Sequence, residues 1–183
     1  MNSTGLRVAI VGTSCSGKST LARRIAPVLD AIHIELDALY WGPRWTTSSD
    51  EVFRARVERA LAAPRWVCDG NHRAVRDLVW GRATTVVWLD FGLARVMGRA
   101  IARTARRVAT REKLYAGNRE SFARAFMSRD SILLWVLHSH HARRRRYAER
   151  FGTPGETGPR LVRLAHPRDA ERFLEEVSAR GVI

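Results

Sequence analysis

The stretch GTSCSGKST at residues 12–20 constrains this chain more than any other part of it. It follows the apolar run LRVAIV and precedes LARRIAPVL, whose apolar residues fall at helical spacing. Gly12, Gly17, Lys18 and Ser19 fit G-x-x-x-x-G-K-[ST], set between a strand and a helix as the mechanism of that pattern requires. Glycines let backbone N–H groups turn inward with no Cβ in the way, and the helix N-terminus adds the positive end of its dipole. With Thr13, Ser14, Cys15, Ser16 and Thr20 they make an anion cradle. Lys18 is placed to reach the β- and γ-phosphates of a nucleoside triphosphate, and the Ser19 hydroxyl to ligate Mg²⁺.

Beyond the cradle, β-like runs alternate with helical patterns. Strands are predicted at Leu6–Val11, Ile32–Leu36, Trp66–Asp69, Thr85–Leu89 and Arg160–Leu164. Helices are predicted at Lys18–Leu29, Ser49–Ala62, Leu93–Arg111, Arg119–Arg150 and Pro167–Arg180. Repeated strand–helix units joined by right-handed crossovers make an α/β fold with a doubly wound, five-stranded parallel sheet. The 183 residues, 45% hydrophobic, suffice for one domain with a real core, and the turn-rich FGTPGETGP at 151–159 reads as a loop before the last strand.

No run approaches the roughly eighteen apolar residues of a membrane span, and MNSTG leads straight into a strand without an export pattern. Cys15 and Cys68 are too few for a disulfide framework. A soluble, cytoplasmic protein with no membrane partner is expected. The net charge of +14 fits an anionic partner, yet every basic residue except Lys18 and Lys113 is arginine, which a GC-rich coding sequence would also produce.

In sheets of this kind ligands gather at the carboxyl ends of the strands. Asp37 closes HIELD and Asp69 closes WVCD, which Gly70, Asn71, His72 and Arg73 follow. A carboxylate beside the cradle can hold Mg²⁺ or take a proton from an attacking hydroxyl, and an arginine shortly after can grip a second anion. Asp37 also reads as a helix N-cap, and Asp69 as a turn aspartate.

CDGNHR resembles the D-G-x-P-R stretch of adenylate kinase and related nucleoside monophosphate kinases, and VVWLDFGLARVMGRAIAR is similar to their fourth strand and the helix into their lid. The ordered run of cradle, LDALYW, WVCDGNHR, WLD and GNRESF resembles the adenylate-kinase-related bacterial family called DNA topology modulation proteins. That resemblance implies a P-loop kinase fold like that of nucleoside monophosphate kinases, ATP with Mg²⁺, Asp69 near the metal and Arg73 on an acceptor phosphate. It also implies backbone contacts to adenine around Ala165, His166 and Pro167 in LAHPRDAERF, a stretch that can also be read as a proline-initiated helix start needing no ligand. Two departures stand out. Tyr40 lies near the place of the arginine with which adenylate kinases grip the acceptor phosphate, Arg44 being the nearest substitute, and His72 replaces the proline. Tyr40, Trp41 and Trp45 read equally as a stacking wall or as cover for the core edge.

At about 100° per residue, Arg95, Arg99, Arg103 and Arg106 fall within an arc of about 80°, opposite Leu93, Val96, Met97, Ala100 and Ile101. The helix is amphipathic with a cationic face. Arginines closing over the cradle would stabilise charge on a transferring phosphoryl group, and the resemblance singles out Arg99 and Arg103, Arg99 nearer the adenine or ribose. The lid would be 107–118, with Gly117 a hinge and Arg119 a further substrate contact. The four arginines in HARRRRY read as a solvated or acid-paired surface. His138, His140 and His141 have no carboxylate or thiol at ligand spacing.

Taken together these features describe an ATP-dependent, Mg²⁺-requiring phosphotransferase acting on a small acceptor, a nucleotide or nucleoside. The alternative is an ATP-modulated protein whose arginine surface holds nucleic acid. No helix-turn-helix, zinc-finger or RNA-binding aromatic motif supports that alternative.

Overall fold

β1 (Arg7–Gly12) is buried along almost its whole length, because a strand covered on both faces by helices must be apolar at successive positions. In this computed structural model, which describes residues 6–118, 131–152 and 158–180, β1 is the middle of five parallel strands. β2 (Ile32–Glu35), β3 (Trp66–Asp69), β4 (Thr85–Leu89) and β5 (Arg160–Leu164) complete the sheet, in the order β2-β3-β1-β4-β5. The five expected strands all form.

Side chains alternate between two cores, as the period of two along a strand requires. Val8, Ile10, Val67, Val87 and Leu89 enter a core shared with α1 (Lys18–Val28), α5 (Leu93–Thr110) and α7 (Pro167–Arg180). Ala9, Val11, Cys68, Val86 and Trp88 enter the opposite core with α3 (Asp50–Ala60), α4 (Arg76–Arg82) and α6 (Ile132–Gly152). The strand order reverses at β1, so the loop leaving β1 opens into the crevice at the switch point.

Three local features depart from the expected elements. Leu36 does not end β2 but begins a short helix, α2 (Leu36–Tyr40), which turns Asp37 toward the strand ends. α4 was not expected: its seven residues are too few to show a helical period, and Gly81 lies among them. The long helix expected from Arg119 is described only from Ile132, the segment 119–130 lying outside the described residues. Of the turn-rich stretch 151–159, Phe151 and Gly152 belong to α6, and 153–157 are outside the described residues. Among the described residues no helix is long and apolar enough to cross a membrane.

Candidate active site

The loop between β1 and α1 has the backbone that its glycines permit. Gly12 has φ +149°, and a Cβ there would stand 2.8 Å from the Leu89 carbonyl oxygen, so only glycine lets β1 and β4 close beneath the loop. Gly17, at φ +101°, is the N-cap of α1 and supplies no side-chain cap, and the first turn holds no acidic residue. The N–H groups of that turn are therefore left to a ligand. The Ser16 side chain is buried, and among the described residues its hydroxyl meets no hydrogen-bond partner. Lys18 donates through Nζ to the Thr13 carbonyl at 3.1 Å, lying folded across the loop. Burial lowers its proton affinity, while the Asp69 and Asp37 carboxylates raise it.

Two elements brace the cradle from behind. Asn71 accepts the Gly12 N–H at 3.2 Å, donates to the Gly12 carbonyl, and is itself fixed by the Tyr147 hydroxyl at 3.0 Å. About two turns of α6 from Tyr147, buried His140 is hydrogen-bonded through Nδ1 to the Thr13 hydroxyl at 3.2 Å. His140 and Tyr147 both lie on the inner face of α6. Between them on that face, half-buried Arg143 contributes positive charge felt by both Lys18 and Asp37.

Three carboxylates stand at the ends of β2 and β3. Asp69, almost fully buried, accepts the Ser19 hydroxyl on Oδ2 at 2.5 Å and pairs through Oδ1 with His33 Nε2 at 2.7 Å. Asp37, half exposed in the cleft, pairs with His72 Nε2 at 2.8 Å. Burial pushes the Asp37 carboxyl up, but the His72 hydrogen bond and charge, with Lys18 and Arg103, hold it below the ordinary aspartate value. Glu35 lies beside Asp69 in the β2–β3 register and accepts the Tyr115 hydroxyl at 2.5 Å. Burial and that hydrogen bond raise the Tyr115 phenol, which keeps its proton.

Opposite the carboxylates lies the cationic face of α5. Arg99, Arg103, Arg106 and Arg107 line a cleft of about 940 Å³ together with the cradle and the three carboxylates. Arg99 donates to the Ser16 carbonyl at 2.8 Å, which plants its guanidinium on the loop. Arg95, within the expected arc, is exposed and is not among the lining residues, while Arg107 from the next turn is. Segment 107–118 crosses the mouth of the cleft and brings in Glu112, Lys113, Leu114 and Tyr115. Gly117, the expected hinge, has φ +76°, and Asn118 at its end accepts the Trp45 N–H at 3.0 Å and donates to the Gly42 carbonyl at 2.8 Å.

This cleft thus joins Ser14, Cys15, Ser16, Gly17, Lys18, Ser19, Thr20, Asp37, Asp69, Arg99 and Arg103, with Gly12 and Thr13 forming the base of the loop. Tyr40, Arg44, Arg73 and His166 are not among its lining residues. Tyr40 packs edge-on against Trp41 and Phe53 and against the His72 ring, on the side that covers the core edge. Arg44 and Arg73 are exposed. Exposed His166 immediately precedes α7, its N–H donating to Asp169 Oδ2 at 2.7 Å and its Nδ1 accepting the Arg168 N–H at 3.2 Å. Arg119 lies outside the described residues. Sequence reading missed Glu35, His33, Asn71 and Tyr115. Glu35, two residues before Asp37 at a strand end, carried a signal in its position, whereas the other three are recognisable only through partners distant in sequence.

No family model and no curated protein matches the sequence. Solved structures do resemble it. A gluconokinase from Sinorhizobium meliloti 1021 aligns over 96% of this chain and 95% of its own, at 19% identity and a TM-score of 0.51. A candidate kinase from Chloroflexus aurantiacus j-10-fl aligns over 96% and 98%, at 15% identity and a TM-score of 0.53. The chain has the P-loop kinase fold. Within that fold, the cradle, the Ser19–Asp69 pair and the α5 arginines occupy one crevice at the switch point of the sheet.

Proposed function

We propose that this chain is an ATP-dependent kinase that transfers the γ-phosphoryl group to a hydroxyl of a small acceptor, a nucleoside, nucleotide or sugar. The observation that carries this reading is the Ser19–Asp69 hydrogen bond beside Lys18, facing Arg99 and Arg103 across the cleft. The residues fit ATP. The uncapped first turn of α1, the orphaned Ser16 hydroxyl and Lys18 are the donors that a triphosphate chain needs. A hydroxyl next to a carboxylate is a hard-oxygen donor set suited to Mg²⁺, which Ser19 and Asp69 would hold, and which when bound neutralises phosphate charge.

The chain's own groups divide the work. His33 fixes one oxygen of Asp69 and leaves the other directed at Ser19. Lys18, Arg99 and Arg103 stabilise negative charge spread over the transferring group. Asp37, ionised near neutral pH, accepts the proton of the acceptor hydroxyl as its oxygen bonds to phosphorus and ADP leaves. Segment 107–118 serves as the lid that excludes water. Arg73 and Arg119, with Tyr40 and Arg44, are retained as neighbours of the acceptor site, and His166 as a backbone contact to adenine. The motif order supports kinship with the DNA topology modulation proteins, and ATP chemistry with two thiols suits a single cytoplasmic domain.

The arginines of the cleft face the cradle, which supports a small polyanion rather than a nucleic-acid strand. ADP release by wild type and Lys18→Ala, with and without acceptor, tests the proposal. Lys18→Ala should lose turnover by roughly a thousandfold with an unchanged circular dichroism spectrum. Turnover within about tenfold of wild type would sink it.

A further inference from the structure

The acceptor subsite has a chemistry of its own, visible in which charged residues reach the cleft. The two arginines that the sequence offers for an acceptor phosphate, Arg44 and Arg73, are exposed and outside the lining, whereas the β2 side of the cleft presents Glu35 and Asp37. Glu35 is half-buried beside Asp69, and its Oε1 is committed to the Tyr115 hydroxyl at 2.5 Å. Among the described residues its second oxygen and the phenol lone pairs remain unengaged, and all of them accept hydrogen bonds. We infer that Glu35 and Tyr115 form a specificity subsite for a hydroxyl group, and that the acceptor is an unphosphorylated polyol such as a nucleoside or free sugar rather than a monophosphate.

The inference rests on the kinase reading above and sharpens it. A hydroxyl donates to a carboxylate in a charge-assisted bond, whereas a phosphate or carboxylate at Glu35 would bring like charges together with no proton between them. An ammonium group would also donate, but Lys18 and Arg143 already place positive charge around Asp37. Tyr115 belongs to the segment that crosses the cleft, so the hydroxyl is recognised where that segment meets β2. Lys113, two residues before Tyr115, is a described lining cation on this side that could instead receive an anion, which gives the competing outcome a definite residue.

The test is ADP release with ATP and Mg²⁺ against ribonucleosides, free pentoses and hexoses, and their monophosphates, with ATP affinity measured separately by calorimetry. An unphosphorylated compound should be preferred to its own monophosphate by about tenfold or more in kcat/KM. Glu35→Ala should raise the KM for that compound by about tenfold or more and leave ATP affinity unchanged. Glu35→Gln keeps the shape and one accepting oxygen, so it separates loss of the charge-assisted bond from loss of folding, and should also raise KM. A monophosphate preferred, with its KM insensitive to Glu35 and raised by Lys113→Ala, overturns the inference and leaves the kinase reading standing. Turnover that survives Lys18→Ala, or ATP binding that no acceptor converts to ADP release, counts against both.

Discussion

Ser19 and Asp69, separated by 50 residues, meet in a 2.5 Å hydrogen bond at the carboxyl ends of adjacent strands. The bond places a hydroxyl and a carboxylate on one point, and His33 stops the carboxylate from turning away. Asp69→Asn keeps the size and one acceptor but removes the charge. Turnover should fall by about a hundredfold or more and require higher Mg²⁺, with acceptor KM changed less than about twofold. Initial rates across a Mg²⁺ titration check this, and an unaltered Mg²⁺ dependence would remove Asp69 from the metal site.

Arg99 touches the cradle, whereas Arg103 faces it from one turn further along α5. Arg99→Ala should therefore weaken ATP binding as well as lower turnover by about a thousandfold, while Arg103→Ala should act on turnover with a smaller effect on binding. Calorimetry with a non-hydrolysable ATP analogue, beside steady-state rates, separates the two. Equal losses of affinity in both variants would contradict the asymmetry.

Asp90, just past β4, is buried between Arg144 of α6, at 2.7 Å, and Arg163 of β5, at 2.5 Å. Its site is structural: it is not among the cleft residues, and it ties the last strand to the long helix. Both arginines are about half exposed, so losing the carboxylate leaves cations that water can solvate. Asp90→Asn should destabilise the fold by about 2–3 kcal/mol, less than the roughly 3–5 kcal/mol for breaking a fully buried pair, with the remaining folded protein keeping its ATP affinity. Urea unfolding read with calorimetry tests both halves of that expectation.

His140 gives the stability a pH dependence. Burial, with His141, Arg144 and Arg143 nearby and Asp90 opposing, lowers its folded pKa below 6.5. The unfolded chain then binds the proton more readily, so this contribution is fully present above about pH 6.5 and is lost as pH falls toward the depressed folded value. The unfolding midpoint of wild type should drop on acidification through that window, before the carboxylates titrate. His140→Gln should flatten the slope, and an equal slope in the variant would exclude His140 as its source.

The parts of this molecule legible in the sequence are those written in local spacing. The cradle declares itself because glycine, lysine and serine positions are fixed by backbone geometry over nine residues, and the amphipathic α5 because its charges repeat at the helical period. The pairing of Arg144 with Asp90 was invisible in a run of four arginines, since only the fold brings those positions together. His33 and Tyr115 were missed for the same reason. Asp37 was visible as a carboxylate, but its pairing with His72, the residue standing where the proline of the related motif would be, emerges only when α2 folds back over β3.

α6 meets the first turn of the cradle twice, through His140 at Thr13 and through Tyr147 at Asn71 and hence Gly12. The two contacts lie about two helical turns apart, so they share a face only while the count between them is kept. Inserting or deleting a single residue there would rotate one contact by about 100° relative to the other and detach it. Substitutions on the outer face of the same stretch, where Arg145, Arg146 and Glu149 are exposed, leave that phase untouched. Descendants of this chain are thus free to change the outward positions of α6 between residues 140 and 147, such as Arg145 and Arg146, but not Arg144, which holds Asp90, and not the length of the stretch.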